Sequence, residues 1–339
     1  MKRISILFVM VFSTALLVNA QDVRKEFYGM WTLAIEDGRD GQAGWLSVNE
    51  DNGFLDANLL WEGGLASPVA SVYFKDSHTL VATRSRNVRR NDSRSHVVAQ
   101  IYTFERTGNN LTGTLVTPAG DGMSATTSKF TGWRLPDPGP APDLSKVKYG
   151  TPISLFNGKD LTGWRLINPN QASADQANGY KVVNGALVND PVSPAGQSIK
   201  FGNLRTDGVF EDFKLSLEVN VPAGSNSGVY LRGMYEVQID DSYGKETTQT
   251  TMGSLFGRIK PSEAAEKPAG EWQNMEMILC DRHLTVVLNG KKIIDNQPIY
   301  GPTGGAMQAD VFKPGPIHLQ GDHGKVSYRN IVLTPILKN

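Results

Sequence analysis

Two short stretches carry the residue types that do chemistry. Along residues 229–240, Val229, Leu231, Gly233, Tyr235, Val237 and Ile239 alternate with Tyr230, Arg232, Met234, Glu236, Gln238 and Asp240. Side chains on a β-strand point to opposite faces in turn, so the second set shares one face. A solvated face normally carries Lys, Thr and Ser; a row of Tyr, Arg, Glu, Gln and Asp has the composition of a groove floor. Gly233-Met234 allows a turn. A two-residue loop there breaks the parity, whereas a three-residue loop or an unbroken strand keeps it. Glu236 and Asp240 are four positions apart, about 13 Å along a strand. Paired-carboxylate hydrolysis needs separations of ~5–5.5 Å or ~6.5–9.5 Å, and the residue between the two is Gln238, not an acid. That chemistry is disfavoured on this strand. The second stretch is His318-Leu319-Gln320-Gly321-Asp322-His323-Gly324, which holds two of the chain's five histidines. His318 and Gln320 share a strand face, and Asp322-His323 follow in a turn, where an imidazole takes and returns a proton near neutral pH.

The elements around these stretches are strands. Residues 214–221, 276–280, 284–288 and 326–333 alternate with period two, and Asn289-Gly290 is a strong two-residue hairpin signal. This many short strands predicts two sheets packed as a sandwich over residues 151–337. Upstream, prolines at alternate positions (Pro136, Pro138, Pro140, Pro142) forbid helix and favour an extended spacer, placing a linker over 136–150. A first domain over 22–135 shows short alternating runs at 45–48, 55–59, 79–83, 97–104 and 111–116. Asn52-Gly53, Gly63-Gly64 and Gly108-Asn109-Asn110 are among the turn signals between them. That pattern predicts an antiparallel meander or small barrel. The whole chain is expected to be all-β.

Composition narrows the functional classes. The 339 residues carry 34 basic and 34 acidic side chains, so no overall field draws the chain to nucleic acid. A single cysteine, Cys280, excludes a disulfide framework and a multi-thiolate metal site; it reads as a buried small apolar residue. Lys2 and Arg3 precede an apolar run ending near Val18-Asn19-Ala20, the pattern of a secretory signal over residues 1–20 with cleavage near Ala20. The run is shorter than the ~20 residues of a membrane span. An exported protein, periplasmic or secreted, is expected. Arg84, Arg86, Arg89, Arg90 and Arg94 crowd one stretch without interleaved aromatics, which reads as a basic hairpin loop, with a docking patch for an acidic partner as the alternative, and not as a base-stacking surface.

Two resemblances add to this. Gly29-Met30-Trp31 near the start of the first domain and Gly132-Trp133-Arg134 near its end resemble the barrel-closing cluster of lipocalins. The second domain carries more. Ser154-Leu155-Phe156-Asn157-Gly158-Lys159-Asp160-Leu161-Thr162-Gly163-Trp164 resembles the opening of the 3-keto-disaccharide hydrolase family. Asn226-Ser227-Gly228-Val229-Tyr230-Leu231-Arg232-Gly233 with residues 235–240 is similar to its central motif. Lys267-Pro268-Ala269-Gly270-Glu271-Trp272-Gln273, Leu288-Asn289-Gly290, Gly315-Pro316-Ile317-His318-Leu319-Gln320 and Tyr328-Arg329-Asn330-Ile331 follow in order. The likeness spans residues 152–335. Gly321 is inserted in the usual Gln-Asp-His run, which loosens the expected placement of His323.

The family resemblance implies a concanavalin-like jelly-roll sandwich acting on glycosides or oligosaccharides already oxidised at C3. The ketone acidifies the C2 proton; a base removes it, the aglycone leaves C1, and water adds back to give 3-keto-glucose. This route needs one base, an enolate stabiliser and help for the leaving group, and no tight carboxylate pair. His323 or Glu236 is the candidate base, with Arg232 steadying the enolate. Tyr230, Gln238, Asp240, Tyr243, Asn226, Trp272, His318 and Gln320 are candidate sugar-binding residues. Glu236 and Asp240 could instead hold a divalent cation (Ca, Mg or Mn) chelating the C2 hydroxyl and C3 carbonyl. Two alternatives stay open: a non-catalytic carbohydrate-binding protein, and a conventional hydrolase of the laminarinase-like sandwich type. Aglycone, anomeric configuration, oligomeric state and the first domain's role are not fixed by the sequence.

Overall fold

The computed structural model describes residues 23–36, 42–91, 94–167, 177–193, 195, 199 and 201–338. The expected signal segment, residues 1–20, lies outside them. So do the side chains of Arg89, Arg90 and Arg94. The chain is all-β and divides into two compact units at Pro136/Asp137, with the short segments 42–43 and 62–65 grouping with the second. Among the described residues no helix is long and apolar enough to cross a membrane.

The first unit is an antiparallel meander: β1 (Gly29–Glu36), β2 (Ala43–Asp51), β3 (Phe54–Leu60), β4 (Ser67–Pro68), β5 (Ser71–Phe74), β6 (Thr79–Asn91), β7 (Arg94–Thr107), β8 (Asn110–Pro118) and β9 (Ala125–Arg134). Every neighbour in sequence pairs except β4 and β5, which are two pieces of one run, and β9 returns to β1. β4 pairs with β3 and β5 with β6, while Val69 and Ala70 donate to Ala57 and Thr83 on those same strands. The ladder therefore closes on itself, leaving no open edge. Asn52 and Gly53 take the left-handed conformation that their hairpin requires. The interior is packed with Trp31, Leu33, Leu46, Leu59, Tyr102, Phe104 and Phe130. At one end the Arg134 guanidinium lies 4.2 Å over the Trp31 ring and donates to the carbonyls of Tyr28 and Glu26. The two residues behind the barrel-closing expectation do meet.

The second unit is a jelly-roll sandwich of two antiparallel sheets. The larger joins β13 (Tyr180–Val183), β14 (Ala186–Asn189), β23 (Val326–Leu337), β16 (Phe213–Asn220), β19 (Trp272–Cys280), β20 (His283–Leu288) and β21 (Lys291–Pro298). The short β10 (Lys148–Tyr149) and β11 (Ile153–Ser154) also pair with β23. The smaller sheet has the order β12 (Trp164–Ile167), β15 (Asn203–Thr206), β22 (His318–Leu319), β17 (Asn226–Leu231), β18 (Tyr235–Asp240). Phe213, Leu215, Leu217 and Val219 of the large sheet and Leu204, Leu319, Val229 and Val237 of the small one are buried, and Ser227 meets the Tyr328 hydroxyl at 3.0 Å. A bulge at Asn330, whose φ is +53°, shifts β23 by one residue, so the buried side chains pass from Tyr328 to Ile331. The Glu218 carboxylate accepts from Arg329 and Asn330 across it. The proline stretch is not a free spacer: the carbonyls of Asp137 and Pro142 accept from Arg282 and Asn296, and the expected linker ends in β10.

Candidate active site

The candidate site lies on the side of the small sheet turned away from the core. Register places Arg165, Arg205, His318, Tyr230 and Glu236 directly opposite one another on five successive strands, one transverse row. The neighbouring row runs from Ile167 and Asn203 to Gly228 and Gln238, with Gln320 donating its backbone N–H to the Gly228 carbonyl at 3.0 Å. Asp322 and His323 follow β22 on a loop, and Gly324 N–H bonds the Asn226 carbonyl. These side chains line a single cavity of about 1050 Å³.

β17 and β18 meet through a three-residue turn, Arg232-Gly233-Met234, so the parity across it holds and Tyr230 faces Glu236. Gly228 is required: a Cβ there would stand 2.3 Å from Glu236 Oε1, so its absence gives the carboxyl its resting place, leaning along the groove. The Glu236 backbone N–H donates to Thr303 Oγ1 at 3.0 Å, and that hydroxyl donates to the Met234 carbonyl. Burial pushes the Glu236 carboxyl up to about 8, opposed by hydrogen bonding with Tyr230 and by the charge of His323. At neutral pH it holds a proton. His323 Nδ1 lies 2.8 Å from Asp322 Oδ1, and that bond raises its pKa above the ordinary value. One imidazole nitrogen is thereby fixed on a carboxylate, leaving the other to take a proton. His318 is buried and stacked on Tyr230 at 4.4 Å, and neither ring nitrogen has a hydrogen-bond partner among the described residues. Burial lowers its pKa to about 3, so it stays neutral.

The structure brings together Glu236, His323, Tyr230, Gln238, Asn226, His318 and Gln320. Four expected residues fall outside the cavity lining. Arg232 sits in the turn with φ +57°, which breaks the strand alternation; its guanidinium donates to the carbonyls of Val311 and Lys313 and is spent on that loop. Asp240 ends β18 beyond the cavity, near Lys245 and Glu266. It cannot share a small ion with Glu236 along an extended strand, so the Glu236–Asp240 pair does not fit the expected divalent cation. Tyr243 is on an exposed loop. Trp272 belongs to β19 of the large sheet, under Arg329 at 4.0 Å. Cys280 is buried, and desolvation pushes its thiol up to about 12.

Sequence reasoning missed Arg165, Asn203, Arg205 and the Gly304-Gly305 turn. The first three reach the groove only through the pairing of β12, β15 and β22, which no local pattern announces. Gly304-Gly305 was a readable turn signal; the Gly304 carbonyl accepts from the Tyr230 hydroxyl at 3.0 Å. The inserted Gly321 does not loosen the His323 loop. Its N–H donates to Asn203 Oδ1 at 2.8 Å, while Asn189 Nδ2 donates to the carbonyls of Gly321 and Gly324.

Residues 151–334 match the 3-keto-alpha-glucoside-1,2-lyase-like domain. The chain belongs to this family. Membership places it among carbohydrate-active, glycosidase-like enzymes. Two structures from Parabacteroides distasonis ATCC 8503, provisionally named glycosyl hydrolases, are similar to it. One is 29% identical over 57% of this chain and 92% of its own (TM-score 0.42). The other is 22% identical over 55% and 94% (TM-score 0.42). The endo-beta-1,3(4)-glucanase SCLam is 14% identical over 60% and 95%, with a TM-score of 0.37. No curated protein matches the chain. The family domain covers the whole small sheet and all seven groove residues above.

Proposed function

We propose that the groove cleaves glycosides whose glucosyl ring carries a ketone at C3, by elimination and rehydration. The observation that carries this reading is the pairing, in one cavity, of an Asp322-held His323 with a buried Glu236 that keeps its proton at neutral pH. One group accepts a proton and the other supplies one, which is the inventory this reaction needs.

His323, oriented by Asp322, takes the C2 proton, and the C2–H electrons move into the C3 carbonyl as an enolate. The enolate collapses to a C1=C2 double bond and the C1–O bond breaks. Glu236 gives its proton to the departing oxygen. Water then adds across the double bond, its hydroxyl to C1 and a proton returning to C2 from His323, and Glu236 recovers its proton. The sum is hydrolysis to 3-keto-glucose, with no change in oxidation state. Tyr230, His318, Asn226, Gln238 and Gln320 orient the sugar through its hydroxyls. The signal-like first twenty residues extend the reading to an exported enzyme.

The test is incubation with a 3-keto-glucoside and its unoxidised parent, in deuterated water. The keto form alone is expected to turn over, and 3-keto-glucose to carry deuterium at C2. Turnover of the parent would mean conventional hydrolysis, and binding without turnover a lectin. Glu236→Gln and His323→Ala are each expected to lower kcat about 10²–10⁴-fold. Because His323 must be neutral and Glu236 protonated, the rate should rise with pH through the raised His323 pKa and fall near pH 8. Full activity of both variants in folded protein sinks the assignment.

A further inference from the structure

The groove has two unlike halves, one on each side of the transverse row Arg165–Arg205–His318–Tyr230–Glu236. One half is mostly polar, with Asn203, Asn226, Gln238, Gln320, Asp322 and His323, and Ile167 on its outer strand. The Gly228 opening tips the Glu236 carboxyl toward this half. The other half is walled by Val209, Met307, Pro314 and Pro316.

Backbone pairing holds that second half in place. Phe210 and Gly315 exchange both N–H···O=C bonds, at 2.8 and 3.0 Å, which sets Val209 opposite Pro316. Met307 N–H bonds the Gly233 carbonyl, and a Cβ at Gly233 would touch both the Met307 sulfur and the Pro316 ring. Val209 is 53% exposed although it is apolar and β-branched. Gln308 directs its NH₂ to the carbonyls of Arg232 and Pro314. Val209, Met307 and the two prolines offer a sugar hydroxyl no side-chain hydrogen bond, so hydroxyls set against them cost binding. A flat apolar ring would remove Val209, Met307 and both prolines from water. At the boundary, Arg165 and Arg205 are side chains that stack on aromatic faces.

The geometry points to a leaving-group subsite between Val209, Met307, Pro314 and Pro316 that takes an aromatic aglycone in preference to a second sugar. The assignment rests on the proposed reaction for which half holds the reacting ring. A cavity of about 1050 Å³ accommodates a glucosyl unit and such a ring together.

The test is calorimetric binding of the 2-naphthyl α- and β-glucosides against maltose and cellobiose, with the full chain. At least one naphthyl glucoside should bind tenfold or more tightly than the disaccharide of its configuration. Val209→Asp, on an exposed side chain, and Met307→Gln should each pull that ratio toward one. Equal affinity in the wild type, a preference untouched by both substitutions, or no binding of any of the four overturns the subsite. Turnover of the 3-keto forms is measured separately. Turnover without naphthyl preference removes the subsite and leaves the reaction; preference without turnover does the reverse.

Discussion

The barrel interior and the groove face of the small sheet are both faces of antiparallel sheets, filled in opposite ways. Inside the barrel, Tyr102, Phe104 and Phe130 pack ring against ring, with Phe104 and Phe130 5.1 Å apart, and Trp31 meets Phe27. On the groove face, a buried carboxyl and a buried imidazole occupy positions where hydrocarbon would be more stable. Residues that lower stability where they stand are kept for what they do. The first surface holds a fold together, and the second gives up stability for the chemistry proposed above.

The sharpest way to break that comparison is to open the barrel core. Phe104→Ala should cost about 3–5 kcal/mol, read by denaturant titration. A loss under ~1 kcal/mol would mean the barrel interior is not packed as described. Substitution on the groove face should act in the other direction. The Glu236 carboxyl has a folded pKa of about 8 against an ordinary 4.5. Between these values the folded state keeps a proton that the unfolded chain has released, so stability falls as pH rises, by ~1.4 kcal/mol per unit. Glu236→Gln removes that penalty. The variant should match the wild type near pH 4 and exceed it by ~3 kcal/mol at pH 7, a gain that levels off above pH 8. A difference independent of pH would show that the carboxyl ionises as freely folded as unfolded.

What could be read from the sequence divides along the same line. Strand alternation is local, so Tyr230, Glu236 and Gln238 were legible as one face before any pairing was known. The turn at 232–234 was not, because parity alone allows Arg232 either on that face or off it. The structure takes it off through a positive φ. Asp240, Tyr243 and Trp272 lie in or beside motifs of the right family, yet motif order does not say where a strand leaves the cavity or which sheet it joins. Arg205 and Asn203 become neighbours of His318 and Gln320 only through a long-range pairing. The Asn330 bulge is hidden in an ordinary-looking alternation. In the barrel, Gly29-Met30-Trp31 and Arg134 were enough to anticipate the closing contact, since β1 and β9 must pair for any meander to close.

That contact supplies the smallest expected effect. Arg134 lies over Trp31 and donates to the carbonyls of Glu26 and Tyr28 as well as to Asn109 Oδ1, so its fork and its charge both contribute. Arg134→Lys keeps the charge above the ring and loses the fork; Arg134→Met loses both. If the cation–ring contact dominates, Lys should recover most of the stability, with Met costing ~1 kcal/mol. If the forked bonds to the carbonyls dominate, Lys and Met should cost the same ~1–2 kcal/mol, because both leave those acceptors unbonded. Denaturant titrations of the two variants separate these outcomes. Neither substitution reaches the groove residues, so kcat on a 3-keto-glucoside should hold in both; a fall in kcat would show that the two surfaces do not act independently.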